Sequence, residues 1–446
     1  MGSHVAALTG LVENPGRFDV PHSELRPAQI AAAQERFATL RPKIKLLDHR
    51  AGEAGLERIG ALADLVPLLF AHSSYKSYPD TWLLQGNWKR LGRWLGAMSA
   101  VDIDPVSLEG ASDLDDWLSL LEVQQIYVSC SSGTTGKCSM IAASAADRAF
   151  VRRNTALALA WSTGTLPDRS FRMVGTVPVP DSPRNRDVQA AYSEEFGDGE
   201  DFRFPSPPIT IGQVSQMVAM RRAIAEGSAT PAELDRFESL AAQREIAMAQ
   251  GSERTVDALA ELRGRKLFIG AQYAMTYRIA EAVRARGLSG TDFHPDNVMA
   301  VGGGLKGATL PEGYQAFIGE TFNVRPERVY RYYGMQEINT TMPICRAGRY
   351  HVPPWLILLL LDRTGDSMIP AGEGEHEGRA GFLDLSIEGR WGGVISGDRI
   401  SVRYGKCDCG HQGPTIGDDV TRYADLGDGD KITCAGTIDA YVRGIS

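Results

Sequence analysis

Apolar and alanine positions recur at helical spacing through residues 25–40, the i, i+3, i+4 rhythm of an amphipathic helix. A second helix, rich in Leu and Trp, is expected over residues 82–98, so residues 1–105 read as a mainly helical segment. From Ile126 onward the rhythm changes to short apolar runs that open directly into glycine. Residues 297–301 run into Gly302-Gly303-Gly304, and residues 328–333 run into Gly334. In open α/β sheets ligands bind beyond the carboxyl ends of the strands, where a glycine turn lets backbone approach them; both turns are expected to face one site. Residues 106–342 therefore read as an α/β core. It contains a long helical region that starts at Thr230-Pro231-Ala232-Glu233, with Thr as N-cap, Pro in the first turn and Glu completing a capping box. After Pro343 the pattern becomes short strands and glycine-containing turns, as in residues 378–387, and residues 343–446 read as a β-rich subdomain. The apolar run 355–361, following Pro353-Pro354, reads as a buried strand.

Composition narrows the class. The 446 residues are 43% apolar and 23% charged, ordinary for a globular chain with a large core. A formal charge of -8 argues against a general nucleic-acid binder, so cationic character has to be local. The longest apolar run is far too short to span a bilayer, and the first 20 residues lack the apolar stretch of a signal peptide. A cytoplasmic protein is expected, without membrane or nucleic-acid partners; a homodimer is compatible with the sequence. Residues 425–430, D-L-G-D-G-D, lack the length and terminal Glu of an EF-hand loop and read as a solvated turn.

Candidate chemistry begins at residues 127–137, Y-V-S-C-S-S-G-T-T-G-K. Gly133 and Gly136 let backbone N–H groups close on phosphate oxygens, Ser129, Ser131, Ser132, Thr134 and Thr135 add donors, and Lys137 adds a point charge. A Walker A loop would need Gly at Ser131 and Ser or Thr at Cys138, so a mononucleotide-fold ATPase is disfavoured. The bland alternative is a solvated Ser/Thr/Gly turn.

The stretch S-S-G-T-T-G-K resembles the phosphate loop of the adenylate-forming superfamily, which includes acyl-CoA synthetases, the adenylation domains of peptide synthetases, and luciferase. Tyr332-Tyr333-Gly334-Met335-Gln336-Glu337 resembles that superfamily's Y-G-x-T-E motif, with Gln336 in place of Thr, and Ser396-Gly397-Asp398 resembles T-G-D. The resemblance implies that Tyr333 lies near adenine, Glu337 holds Mg²⁺, Asp398 accepts from the ribose hydroxyls, and Arg422 stands near ribose and phosphate. Within the superfamily the chain is most similar to the phenylacetate-CoA ligase and acyl-protein synthetase branch, which includes a phenazine-biosynthesis adenylase. The likeness is carried by Ser74-Tyr75-Lys76-Ser77-Tyr78-Pro79, by Gly302-Gly303-Gly304-Leu305-Lys306 and by Cys407-Asp408-Cys409-Gly410. It implies the large N-terminal domain of an adenylate-forming enzyme, layered α/β subdomains plus a β-rich one. In that family a small C-terminal domain follows the segment like Asp430-Lys431-Ile432-Thr433 and supplies a catalytic lysine; the sequence given ends at Ser446, and that domain is not expected.

Two short-spaced pairs, Cys345 with His351 and Cys407 with Cys409, offer three thiolates and one imidazole. That donor set suits tetrahedral Zn²⁺ stapling two loops together. Relatives in the phenylacetate-CoA ligase branch resemble it in having a Cys-then-His stretch ahead of their C-x-C-G. His411 is the competing imidazole, and the bland reading is four unrelated residues, Cys345 being a small buried apolar group.

The expected reaction is transfer of AMP from ATP to a carboxylic acid, giving acyl-adenylate and pyrophosphate. The acceptor would be a thiol such as CoA or a carrier protein, an amine, or a hydroxyl. With the small domain not expected, Lys306 is the candidate for the missing positive charge. An aryl or small organic acid of secondary metabolism, as in antibiotic biosynthesis, is favoured as substrate, from aromatics in residues 172–192 and 268–277. Two rivals stand beside this reading: the ATP-binding half of a split ligase that needs a partner, and a degenerate member kept for protein interaction.

Overall fold

The computed structural model describes residues 2–130, 137–305, 308–426, 430 and 432. The chain packs as two compact units, one of residues 1–133, 137–154 and 333–446, the other of residues 134–136 and 155–332. The first unit thus joins the N-terminal helical segment to the C-terminal β-rich segment, where the sequence order suggested three consecutive regions.

The chain opens with helices α1 (Ser3–Gly10), α2 (His22–Leu40) and α3 (Lys45–Glu53), then a short strand β1 (Phe70–Ala71). α2 covers the periodic stretch and buries Leu25, Ala32, Ala33, Phe37 and Leu40. Helices α4 (Asp80–Leu84) and α5 (Trp88–Ala97) replace the single helix expected over 82–98. Gly86 between them sits at φ +63°, left-handed backbone that ends a helix and that glycine adopts without a Cβ clash. Helix α6 (Leu114–Val123) leads to an antiparallel hairpin, β2 (Tyr127–Cys130) and β3 (Met140–Ala143), and helix α7 (Ala145–Thr163) follows.

Residues 155–332 build a parallel sheet from β4 (Phe171–Gly175), β5 (Gly197–Phe202), β6 (Leu267–Ala271), β7 (Val298–Val301) and β8 (Val329–Tyr330) in the order β5-β4-β6-β7-β8. Helices α8 (Pro183–Glu195), α9 (Ile211–Ala225), α10 (Pro231–Leu262), α11 (Tyr273–Ala285) and α12 (Tyr314–Phe322) lie in the connections. Alternate strand residues divide between two cores, as a pleated sheet covered on both faces requires. Leu267, Ile269, Met299 and Val301 meet α10, α11 and α12, whereas Phe268, Val298 and Ala300 meet α7 and α8. The Thr230 capping box starts α10 as expected: Glu233 N donates to Thr230 Oγ1 at 3.3 Å, and Thr230 N donates to Glu233 Oε2 at 2.8 Å. The stretch 328–333 divides into β8 and a second two-residue strand, β9 (Tyr332–Tyr333).

Beyond β9 the strands are β10 (Met342–Pro343), β11 (Arg349–His351), β12 (Leu356–Leu361), β13 (Glu375–Asp384), β14 (Gly393–Arg403), β15 (Thr415–Gly417) and β16 (Thr421–Arg422). β10 pairs with β9, and the others build a mainly antiparallel sheet, β11-β15-β14-β13-β12, to which β1 adds parallel to β14 and β16 antiparallel to it. β12 is buried at all six positions, which is why its sequence is continuously apolar rather than alternating. The N-terminal helices dock on this sheet unit through specific polar contacts: Gln29 Nε2 donates to the Pro354 carbonyl at 2.9 Å, and Arg36 donates to the Leu385 carbonyl at 2.5 Å. No helix among the described residues is long and apolar enough to cross a membrane.

Candidate active site

Ser131, Ser132, Gly133, Thr134, Thr135 and Gly136 lie outside the described residues, as does Lys306. The neck of the loop is described. β2 and β3 pair antiparallel with Cys130 opposite Met140, so the loop joins two strands of a hairpin, whereas a Walker A loop joins a strand to a helix. Lys137 is already engaged at its base: its Nζ donates to the Tyr78 carbonyl at 2.7 Å, stands 3.5 Å from Asp80 Oδ1, and lies 5.4 Å from the Tyr78 ring centroid. The Tyr78 hydroxyl donates to the Cys138 carbonyl at 2.8 Å. The S-Y-K-S-Y-P segment is thereby bound to the loop neck.

Glu337 and Asp398 come together in the same unit. Asp398 lies on β14 opposite Arg422 of β16; its Oδ2 accepts from the Tyr333 hydroxyl at 2.8 Å, and Arg422 Nε stands 3.8 Å from its Oδ1. The Tyr333 ring packs in the core with Tyr350 and Phe382, at centroid separations of 6.0 and 6.2 Å. Burial, then the Asp398 charge, holds the Tyr333 hydroxyl protonated far above its ordinary range, as a donor to that carboxylate must be. Glu337 is only 8% exposed. Burial raises its pKa and Asp398 raises it further, while Lys76 and Arg390 oppose this. Next to it, Gln336 Oε1 is buried with no protein donor. Gly334 is half-buried between these motif residues.

Buried carboxylates that sequence reading missed hold this turn in place. Asp384 Oδ2 accepts from Asn339 N and Thr340 N, each at 2.9 Å, and its Oδ1 accepts from Ser386 N at 3.0 Å and Ser386 Oγ at 2.5 Å. Asp147 accepts from Asn339 Nδ2 at 3.1 Å, Glu388 N at 2.7 Å and Gly389 N at 2.9 Å. Arg390 bridges the Glu337 carbonyl, at 2.9 Å, to the Ala142 carbonyl of β3, at 3.0 Å. The sequence signal was a charged residue inside an apolar strand run, A-G-F-L-D-L-S-I, because such a residue is buried only when its partners are supplied.

Gly302, Gly303 and Gly304 belong to the parallel-sheet unit and follow β7 directly, with Gly303 at φ +71°. Gly302 N donates to the Ala271 carbonyl at 3.0 Å. Among the aromatics expected to line an acid pocket, Tyr192, Phe268 and Tyr273 are buried in the cores of that unit and Tyr277 is half-buried; Phe268 is 1% exposed and packs on Tyr192 and Phe196 at 4.9 and 5.9 Å between centroids. Asp430 is likewise no solvated turn residue. Its Oδ1 meets Arg379 at 2.6 Å, with side chains 14% and 0% exposed. Residues 427–429 lie outside the described residues.

Cys345, His351, Cys407 and Cys409 are all buried, with ligand atoms within 4.8 Å of one another. Cys345 Sγ to Cys407 Sγ is 3.8 Å and Cys409 Sγ to His351 Nε2 is 3.3 Å. Thiolates about 2.3 Å from a tetrahedral zinc stand about 3.8 Å apart, so the donor set fits that ion. Burial and the neighbouring thiols push Cys409 up to about 12. His411, the competing imidazole, instead meets Asp19 through Nδ1 at 2.6 Å.

No protein-family model and no curated protein sequence matches this chain. Solved structures do match. An open conformation of 2-hydroxyisobutyryl-CoA ligase in complex with 2-HIB-AMP and CoA aligns over 92% of this chain and 77% of that one, with a TM-score of 0.54 and 15% identity. The same ligase in the postadenylation state with 2-HIB-AMP aligns over 92% of this chain and 70% of that one, with a TM-score of 0.53 and 14% identity. The chain therefore has the fold of an adenylate-forming acid-CoA ligase.

Proposed function

We propose that this protein adenylates a carboxylic acid with ATP, yielding acyl-AMP and pyrophosphate for transfer to a thiol, amine or hydroxyl acceptor. The observation that carries the reading is Glu337, buried beside Asp398, which is itself gripped by Tyr333 and faced by Arg422. Hard carboxylate and amide oxygens suit a divalent cation such as Mg²⁺; the Glu337 carboxylate and Gln336 Oε1, the latter buried with no protein donor, would hold it, and it would neutralise phosphate charge. Asp398 is assigned to the ribose hydroxyls, Arg422 to ribose and phosphate, and Tyr333 to fixing the Asp398 rotamer. Residues 131–137 are assigned to the outer phosphates. In the reaction a carboxylate oxygen bonds to the α-phosphorus while the bond to the bridging oxygen breaks, and pyrophosphate departs with that electron pair. Positioning and charge neutralisation supply most such catalysis.

The substrate class we propose is an aryl or small organic acid, with CoA, a carrier protein or an amine as acceptor. Mg-ATP-dependent pyrophosphate release across aryl, acyl and amino acids, with hydroxylamine trapping the acyl-adenylate, tests both levels. Release confined to one acid class supports the proposal and names the substrate class. Silence across the panel in a protein that binds Mg-ATP favours dependence on a partner, and absence of Mg-ATP binding refutes the reading. We also assign Cys345, His351, Cys407 and Cys409 to a structural Zn²⁺ that ties the turn around β11 to the loop before β15. Metal analysis at background level would remove it.

A further inference from the structure

We propose that Lys76 is a catalytic residue of this adenylation, its ammonium meeting the α-phosphate as the acyl–phosphate bond forms. The inference rests on the adenylation reading and adds to it a role for Lys76, which the S-Y-K-S-Y-P likeness contains without assigning one.

The backbone around Lys76 is pinned at both ends of the site. On one side β1 runs parallel to β14 with Ala71 opposite Ile395, and His72 N donates to the Ile395 carbonyl at 3.0 Å. The His72 ring lies against the next turn of that strand: a Cβ placed on Gly397 would stand 3.2 Å from His72 Cε1. This end therefore abuts Ser396-Gly397-Asp398. On the other side Tyr78 gives its hydroxyl to the Cys138 carbonyl and its own carbonyl to Lys137 Nζ, at 2.8 and 2.7 Å. That end abuts the neck of the serine- and glycine-rich loop. Only five residues separate the anchors His72 and Tyr78, and Lys76 is one of them.

The intervening turn is rigid. Residues Ser74–Lys76 form a 3-10 turn. Ser77 Oγ closes it on the Ser74 carbonyl at 2.8 Å, and the Trp94 indole, fully buried, donates to Ser77 Oγ at 2.9 Å. A short helical turn fixed at each end and braced by a tryptophan presents a preorganised charge, which is what transition-state stabilisation requires.

The charges around Lys76 fit a polyanion. Burial lowers the pKa of the half-buried Lys76 ammonium; the Glu337 carboxylate opposes that shift and the Arg422 charge adds to it. Lys76 and Arg422 are cations close enough to repel each other, a repulsion that a bound anion relieves. Glu337 belongs to the same arrangement: its carboxylate would hold the cation that neutralises phosphate charge. A lysine suits this task as a compact point charge on a flexible stem. In the ordinary structural alternative, Lys76 is the counter-ion of Glu337 and nothing more. That alternative predicts lost stability without a selective loss of turnover.

The test compares the parent with Lys76→Met, Lys76→Arg and Lys306→Met in acid-dependent ATP–pyrophosphate exchange, with Mg-ATP affinity from equilibrium dialysis and melting temperature measured alongside. Removing one charge-stabilising group of this kind costs about 10²–10³ in kcat. That loss is expected for Lys76→Met, with Mg-ATP affinity and the KM for the acid nearly unchanged, and Lys76→Arg should recover part of it. Parental turnover in Lys76→Met overturns the proposal, as does a loss matched by weakened Mg-ATP binding and melting temperature alone. A second measurement on the parent needs neither a folded variant nor a known acid. Saturating Mg-ATP should protect Lys76 from reductive methylation, read by mass spectrometry of the peptide, and labelling of Lys76 unchanged by Mg-ATP overturns the proposal. A parent that binds no Mg-ATP refutes the adenylation reading itself and this inference with it, whereas exchange by the parent with an indifferent Lys76 refutes the inference alone.

Discussion

Replacing Asp384 with alanine removes the acceptor on which the turn after Glu337 is built. Its two oxygens take four donors, the backbone N–H groups of Asn339, Thr340 and Ser386 and the Ser386 hydroxyl, and the residue is fully buried. Each buried donor left without a partner costs about 1–3 kcal/mol. Water entering the space left by the carboxylate offsets part of this, so the low end of the range applies and four donors give about 4 kcal/mol. That is a large share of the ~5–15 kcal/mol stability of a typical domain. The assay is urea denaturation followed by tryptophan fluorescence, because the Trp355 indole donates to Thr340 Oγ1 at 2.9 Å and reports on this very turn. The midpoint should fall by the equivalent of about 4 kcal/mol at an unchanged slope. Asp384→Asn, which keeps one acceptor oxygen, should fall in between. A shift in Asp384→Ala worth less than about 1 kcal/mol would show that the donors find other partners and that the carboxylate does not organise the turn.

Further outcomes are expected elsewhere in the same unit. Because burial raises the folded pKa of Glu337, its native state binds more protons than the unfolded chain, and its contribution to stability is present at low pH and lost as pH rises through the raised value. Glu337→Gln should therefore melt higher than the parent at pH 8, with the gap closing toward pH 4, while adenylation falls about 10²–10³-fold; a gap independent of pH, or near-normal turnover, contradicts the assignment. Chelation, or Cys407→Ser, should release one zinc and sharply lower the melting temperature, since structural zinc contributes about 10–16 kcal/mol in small peptides; an unchanged melting curve with no metal released argues against the site. Asp430→Ala leaves fully buried Arg379 with the Arg363 and Ser396 carbonyls and the Tyr423 ring but no carboxylate partner, and breaking such a pair costs about 3–5 kcal/mol. An unchanged urea midpoint would mean that the pair is dispensable.

What the sequence determined by itself is what neighbours along the chain determine. The Thr230 capping box, the α2 stripe and the β12 run 356–361 all depend on contacts within a turn or on uniform burial, so each is visible as a local pattern. The Cys345/His351 and Cys407/Cys409 pairs were readable for the same reason: each pair is short-spaced, and the chemistry of the donors suggested that they meet. Breaks inside the stretch 82–98 escaped notice because apolar periodicity outlasts a single left-handed glycine. The aromatics of 172–192 and 268–277 were legible by type, but their depth was not, because sequence shows residue type and not burial. Only tertiary structure decided the site's supports. Asp147 meets Gly389 across 242 positions and Asp384 meets Asn339 across 45, while Lys76 comes within the field of Glu337 only because β1 adds to β14 and Tyr78 grips the loop neck. A buried charge is stable only where the folded chain brings it partners, and those partners leave no periodic trace in the sequence around it.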